Sequence, residues 1–132
     1  MQVDETTLVD TGMTRDVLEV GPGHTLRQVA TYMAARKVGA AVVTDTDGAG
    51  IGIITERDIL NSLGAGEDPD AETAGEHQTT DVVYANPGWT LGQAAEAMMR
   101  GNFRHLIVLD GNEVVGMVSV RDIVREWAGQ AG

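Results

Sequence analysis

Gly52-Ile53-Ile54-Thr55-Glu56-Arg57-Asp58 returns 64 residues later as Gly116-Met117-Val118-Ser119-Val120-Arg121-Asp122. Each copy reads as a strand ending at a hydroxyl residue that caps a helix, with a carboxylate three residues on. Working backwards from the two copies, the chain overlies itself at a shift of 65. Asp16-Val17 falls on Asp81-Val82, and Pro22-Gly23-x-Thr25-Leu26 on Pro87-Gly88-x-Thr90-Leu91. Gln28, Ala30 and Met33 match Gln93, Ala95 and Met98, and Val43 and Asp45 match Val108 and Asp110. One extra residue in the first turn lowers the shift to 64, which aligns Gly52 with Gly116 and Arg57-Asp58-Ile59 with Arg121-Asp122-Ile123. The result is 15 identities in about 45 positions.

Each copy predicts the same elements in the same order. A short strand lies near Val17–Val20 and near Val82–Ala85. After Pro-Gly, Thr25 with Gln28 and Thr90 with Gln93 form capping boxes. The helices that follow carry apolar stripes at i, i+3, i+4, i+7 and i+8. These are Leu26, Val29, Ala30, Met33 and Ala34, then Leu91, Ala94, Ala95, Met98 and Met99. Gly39 and Gly101 are expected to end them. Buried strands follow over Ala40–Thr44 and His105–Leu109, then turn dipeptides Asp47-Gly48 and Asp110-Gly111. Returning strands cover Ile51–Thr55 and Val114–Ser119. Closing helices from Glu56 and Val120 have apolar faces of Ile59, Leu60 and Leu63, and of Ile123, Val124 and Trp127.

The fold class is therefore α/β, of the α+β type: two β-α-β-β-α repeats over residues 8–63 and 73–127, with a linker at 64–72. Each repeat alone is small for a stable core, so the pair is expected to bury a shared face. Gly64, Gly66, Asp68-Pro69 and several acids mark Asn61 to Glu76 as a solvated join. Leu8-Val9 suits a short lead-in helix, and residues 128–132 suit a frayed tail.

Composition narrows the function. Twenty Asp and Glu against nine Lys and Arg give a formal charge of -11. That balance opposes binding to nucleic acid and to anionic membranes. Without cysteine there is neither a disulfide framework nor a thiolate metal site. The opening residues lack a basic n-region, which points to the cytoplasm. His24, His77 and His105 share no zinc-ligand spacing, and His24 is placed at the surface of a turn. There is no Gly-x-Ser-x-Gly, Walker or His-Glu-x-x-His sequence, so no catalytic constellation is expected and the chain is read as not an enzyme.

The repeated motif has two readings. As structure, Thr55 with Asp58 and Ser119 with Asp122 are helix caps that satisfy orphan N–H groups and complement the dipole. As a site, a hydroxyl at a helix N-terminus suits phosphate, and a carboxylate suits the two hydroxyls of a ribose. Arg57 and Arg121 sit in the first helical turn, where a cation opposes the dipole. Either an anionic ligand or a salt bridge to a neighbour such as Glu56 or Asp58 would compensate.

The tandem β-α-β-β-α unit ending in Gly-h-h-Thr/Ser-x-x-Asp resembles a pair of cystathionine β-synthase (CBS) domains, the Bateman module, over about residues 8–127. The resemblance implies pseudo-two-fold packing of the repeats and clefts between them for AMP, ADP or ATP, with Mg²⁺ or local arginines offsetting the negative charge. NAD and S-adenosylmethionine are other ligands of the same kind. It also implies a flat homodimer and a sensing role exerted through an effector protein. Residue by residue, Asp58 and Asp122 would hold ribose hydroxyls, and Thr55 and Ser119 ribose or phosphate. Asp58 would work with Val82 and Val83, and Asp122 with Val17 and Leu18. Ile53, Met117, Val38 and Phe103 would help wall the base, and Arg104-His105 would meet phosphates. Two departures stand out. Ala41-Val42 and Leu106-Ile107 replace a proline usual in the family, and Gly39-Ala40 stands where the second copy has Arg104-His105, so the two sites differ in charge. The alternative to a sensor is a ligand-free structural or protein-interaction dimer that keeps the caps only as caps.

Overall fold

Apolar, β-branched-rich strands and capping boxes at the helix starts organise each half of the chain. The computed structural model describes residues 6–45 and 50–131, so the Asp47-Gly48 turn lies outside the described residues. The elements are α1 (Val9–Gly12), β1 (Glu19–Val20), α2 (Leu26–Arg36), β2 (Ala40–Thr44), β3 (Ile51–Thr55), α3 (Glu56–Gly64) and α4 (Ala74–His77). Then follow β4 (Tyr84–Ala85), α5 (Leu91–Gly101), β5 (His105–Asp110), β6 (Glu113–Ser119) and α6 (Val120–Ala131). This is a mixed α+β chain with two three-stranded sheets, ordered β1-β2-β3 and β4-β5-β6.

The described chain falls into two compact units. One spans Leu18–Val82, and the other joins the described residues up to Val17 with those from Val83 onward. Compactness thus cuts the chain about ten residues inside each sequence repeat, because the opening residues of each repeat group with the other repeat's unit.

In the Leu18–Val82 unit, β1 pairs parallel with β2 (Glu19↔Val42, Val20↔Val43). Strand β2 pairs antiparallel with β3, with Ala40 opposite Thr55 and Val43 opposite Gly52. One face of this sheet joins α2 in a core of Leu18, Val20, Leu26, Val29, Met33, Ala41, Val43, Ile54, Ile59 and Ala74. The alternate strand residues Val42 and Ile53 are buried as well, on the opposite face. The other unit repeats the plan. Its core holds Val9, Met13, Leu91, Ala94, Met98, Leu106, Val108, Val118 and Ile123, with Trp89, Phe103 and Trp127 packed around it. Its β5–β6 ladder shifts register after Val108↔Gly116, so Val115 has no partner before Leu109↔Val114. The turn is Gly111-Asn112, one residue beyond the expected Asp110-Gly111, with Gly111 at φ 63°.

Several expectations need correcting. Strands β1 and β4 begin two residues later than the sequence suggested, since only Glu19–Val20 and Tyr84–Ala85 lie in register with a partner strand. Gly39 and Gly101 do not terminate the helices. Lys37 (φ 57°) and Asn102 (φ 56°) take the left-handed position. The next residues then close the helix ends, Val38 N–H donating to Met33 O and Phe103 N–H to Met98 O. Gly101 is instead the last residue of α5, and the Phe103 ring occupies the space a Cβ there would need. Helix α6 continues to Ala131, into the expected tail. The closing helices bury narrower stripes than their sequences suggest: Ile59 and Ile123 are inside, whereas Leu60 is 67% exposed and Leu63 and Val124 are also out. Met99 is exposed too. The join after α3 is not simply solvated. Thr73 caps α4 with a full capping box to Glu76, and Ala74 and Gly75 donate to the carbonyls of His24 and Pro22.

Candidate functional site

The two motif glycines have a common cause. In one unit the 78–79 stretch lies against β3, where Ile53 and Thr79 exchange N–H···O bonds of 2.9 and 2.8 Å. In the other, Thr14 and Met117 exchange two bonds of 2.8 Å against β6. These stretches pass directly over the glycines. A Cβ on Gly52 would stand 2.0 Å from Gln78 Oε1, and one on Gly116 would stand 2.6 Å from Met13 Sδ and 2.9 Å from Thr14 O. At Gly116 a side chain would strike the backbone of the arm, whereas at Gly52 it would chiefly displace the end of the Gln78 side chain.

Beyond each glycine the strand runs into a capping box. Thr55 Oγ1 accepts from Asp58 N–H (3.3 Å), while the Thr55 N–H and hydroxyl donate to Asp58 Oδ2 at 2.8 and 3.0 Å. Ser119 and Asp122 repeat this at 3.1, 2.9 and 3.1 Å. The structural reading of the motif is thus realised in both copies.

What remains of each carboxylate differs. Asp58 is half-buried, and its Oδ1 has no partner among the described residues. Asp122 is 4% exposed and both oxygens are engaged: Oδ1 accepts from the Thr14 hydroxyl (3.1 Å) and from Arg125 (2.8 Å). The backbone bridge of Thr14 is matched by Thr79, but no hydroxyl bond from Thr79 to Asp58 accompanies it among the described residues. One motif therefore ends in an open acceptor and the other in a closed structural knot.

The cations differ as well. Neither Arg57 nor Arg121 pairs with an acid among the described residues, and both are exposed. The salt bridge weighed for Arg57 is not formed, and the arginine that Asp122 finds is Arg125, one turn along α6. The Arg104 side chain is exposed, its carbonyl accepting from Val120 N–H (3.0 Å). In the matching place, Gly39 O accepts from Glu56 N–H (2.9 Å), and the Glu56 carboxylate folds over Gly39 to within 3.1 Å of where a Cβ would be. Thus an acid fills, in one unit, the place where the other carries a base. His105 begins β5, half-buried and opposite Ser119.

The expected apolar residues divide in two. Ile53 and Met117 are buried on the sheet face opposite the helices' core. Val38 and Phe103 pack against the helix-side cores of their units, and Leu18 lies within one of those cores. Val17 and Val82 are half-buried and Val83 is exposed. Val82 shares a unit with Asp58, and Val17 shares one with Asp122; Leu18 and Val83 fall in the opposite units. His24, expected at the surface, is half-buried: its Nδ1 accepts from Gly21 N–H (2.9 Å) and its ring meets Tyr32 edge-on. Sequence reading missed Thr14, Gln78, Thr79 and Arg125. The shift of 65 already placed Met13-Thr14 on Gln78-Thr79 and could have exposed the arms.

Comparison with known proteins agrees with this architecture. The CBS domain model matches residues 7–65 and again 74–129. The chain is 33% identical over 112 residues to the CBS domain-containing protein YhcV of Bacillus subtilis, covering 84% of this chain and 79% of that one. The solved structure of the CBS domain protein PAE2072 from Pyrobaculum aerophilum, complexed with AMP, aligns with a TM-score of 0.80 at 30% identity, covering 92% of this chain and 98% of that one. The CBS domain pair of protein MJ0100, in complex with 5-methylthioadenosine and S-adenosyl-L-methionine, aligns with a TM-score of 0.85 at 25% identity over 95% and 98%. No helix among the described residues is long and apolar enough to cross a membrane.

Proposed function

The chain belongs to the CBS domain family, and on that premise we propose that it is a non-catalytic regulatory module whose repeated motifs bind an adenosine-containing ligand, AMP, ADP or ATP. The observation that carries this reading is the state of Asp58. Thr55 fixes one oxygen and, among the described residues, leaves the other without a partner; Arg57, at the start of α3, pairs with no acid among them. A carboxylate held by its own cap is already oriented, so a ribose hydroxyl gains an acceptor at little ordering cost. Thr55 and Ser119 offer hydroxyls suited to ribose or phosphate, and Ile53 and Met117, buried on the sheet face away from the helices, suit the apolar face of a base.

Charge separates the two motifs. Arg104, Arg121 and His105 suit a phosphate-rich ligand in the unit containing Asp122, with Mg²⁺ screening a triphosphate. Glu56 over Gly39 disfavours phosphate near Asp58, which suits adenosine or a cationic sulfonium derivative there. PAE2072 with AMP and MJ0100 with 5-methylthioadenosine and S-adenosyl-L-methionine support ligands of this class. A second reading, a structural module, draws support from Asp122, whose carboxylate is consumed inside its own unit. The exposed Leu60 and Leu63 on α3 support self-association as a homodimer, with the signal passed to an effector protein.

Thermal unfolding with AMP, ADP, ATP, NAD, 5-methylthioadenosine and S-adenosylmethionine tests the reading. A ligand at 100 times its dissociation constant adds about 2.7 kcal/mol to the folded state. Arg104→Gly should weaken ATP more than adenosine. Equal losses for both would remove the phosphate role, and no shift with any ligand would leave the structural reading.

A further inference from the structure

A side-chain cluster outside both motifs offers a separate chemistry. Glu67, Glu72 and His77 follow one another at five-residue intervals between α3 and the end of α4. One ligand atom from each lies within 4.8 Å of the others. His77 Nε2 is 2.8 Å from Glu72 Oε1 and 3.7 Å from Glu67 Oε1. A neutral imidazole can donate its single Nε2 proton to one of these acids only, so Glu67 converges on the ring at 3.7 Å without sharing that proton, its Oε1 accepting instead from the Ser62 hydroxyl. We propose that Glu67, Glu72 and His77 form a binding site for a first-row divalent cation, with zinc as its representative.

Metal–ligand bonds of about 2.0–2.2 Å place neighbouring donors of a tetrahedral ion about 3.3 Å apart. The two separations at His77 fall on either side of that value. Exchanging the shared proton for the ion needs Glu72 to retreat and Glu67 to advance by about half an ångström each. One nitrogen and two carboxylate oxygens suit zinc or a similar ion better than Mg²⁺ or Ca²⁺, which prefer all-oxygen sites. The ion also cancels the mutual repulsion of two acids that one imidazole only partly offsets. His77 and Glu72 are 21% and 24% exposed at the side chain and Glu67 is 40%, which leaves a solvent-facing position for water as a fourth ligand.

The ligands are already supported. Ser62, 3% exposed, donates its hydroxyl to Glu67 Oε1 at 2.7 Å, and Glu67 N–H returns a bond to Ser62 O at 3.1 Å. Glu72 is fixed by its N–H to Asp68 O (2.9 Å) and by its carbonyl, which accepts from Leu26 N–H (3.0 Å). Such outer partners orient metal ligands and tune their affinity. An ion here would staple the end of α3 to α4 across the join within the Leu18–Val82 unit, independently of any nucleotide.

The test is calorimetric titration of the metal-free full chain with zinc chloride, with magnesium chloride as the comparison. The site predicts one zinc bound with micromolar or tighter affinity, not displaced by equimolar magnesium, and a shift of the His77 ring signals in NMR spectra. His77→Gln and Glu72→Gln should each weaken zinc at least tenfold, and Ser62→Ala about tenfold. His24→Gln should leave binding unchanged. Should His77→Gln fail to fold by circular dichroism, Glu67→Gln serves instead, since its amide oxygen can still accept from Ser62. Full zinc affinity in the ligand variants, displacement by magnesium, or no zinc binding by the folded chain would each overturn the proposal.

Discussion

Replacing Asp122 by alanine should cost markedly more stability than replacing Asp58, although the two occupy the same place in the repeat. Both changes remove a helix cap, a loss of about 1 kcal/mol. Asp122 loses more. Its Oδ1 accepts from the Thr14 hydroxyl in a part-buried setting, and a hydrogen bond to a charged group contributes about 1.5–3 kcal/mol. The Arg125 pair adds little, because that side chain is 60% exposed and solvent screens it. The expected cost is therefore about 2.5–4 kcal/mol for Asp122→Ala and about 1 kcal/mol for Asp58→Ala. Urea unfolding at pH 7 gives both values. A cycle with Thr14→Val isolates the coupling, expected at about 1.5–3 kcal/mol, whereas the same cycle between Asp58 and Thr79 should give near zero. Equal costs for the two aspartates, or no coupling to Thr14, would refute the claim that one motif is a knot and the other an open acceptor.

Gly116→Ala should destabilise by about 1–3 kcal/mol, because its Cβ would meet the Thr14 carbonyl and Met13 sulfur. Gly52→Ala should cost less in the same urea assay, since the closest atom belongs to the mobile end of Gln78. The bidentate Arg27–Asp70 pair (2.5 and 3.1 Å) ties the join to α2, and its hydrogen bond, then its charge, holds the Asp70 carboxyl below the usual carboxylate range. Because the folded value is depressed, the stabilisation is complete above the ordinary carboxylate value and is lost as pH falls through the lowered one. The gap in urea midpoint between the natural chain and Asp70→Asn should accordingly be present at pH 7 and closed in strong acid. The proposed homodimer predicts that Leu60→Glu shifts sedimentation from dimer to monomer while leaving the unfolding midpoint of the monomer unchanged.

Much of this was legible because it is local. Thr25, Thr55, Thr73 and Thr90 each have their box partner three residues on, so a cap needs no tertiary information. The sequence reading recovered three of these boxes but left Thr73 in a solvated join, since no long apolar stripe follows it. Helix ends were misplaced because Lys37 and Asn102 accept the left-handed turn that glycine usually takes, under the pull of the Val38 and Phe103 side chains docking on their cores. The site was half legible. Repetition located Thr55, Asp58, Ser119 and Asp122, but it treated the pair as equivalent. Their difference lies in Thr14 and Arg125, one of them 108 residues away from Asp122 along the chain. The charge contrast between Arg104 and Gly39 was visible from alignment. That Glu56 folds over Gly39 depends on side-chain placement and was not.

Calorimetric titration of AMP, ADP and S-adenosylmethionine into the natural chain, Asp58→Asn and Asp122→Asn tests the central claim most directly. The account predicts saturable binding of at least one of these ligands by the natural chain, weakened tenfold or more by Asp58→Asn with the protein still folded. Undiminished affinity in folded Asp58→Asn, or heats of dilution alone from the natural chain, would contradict it.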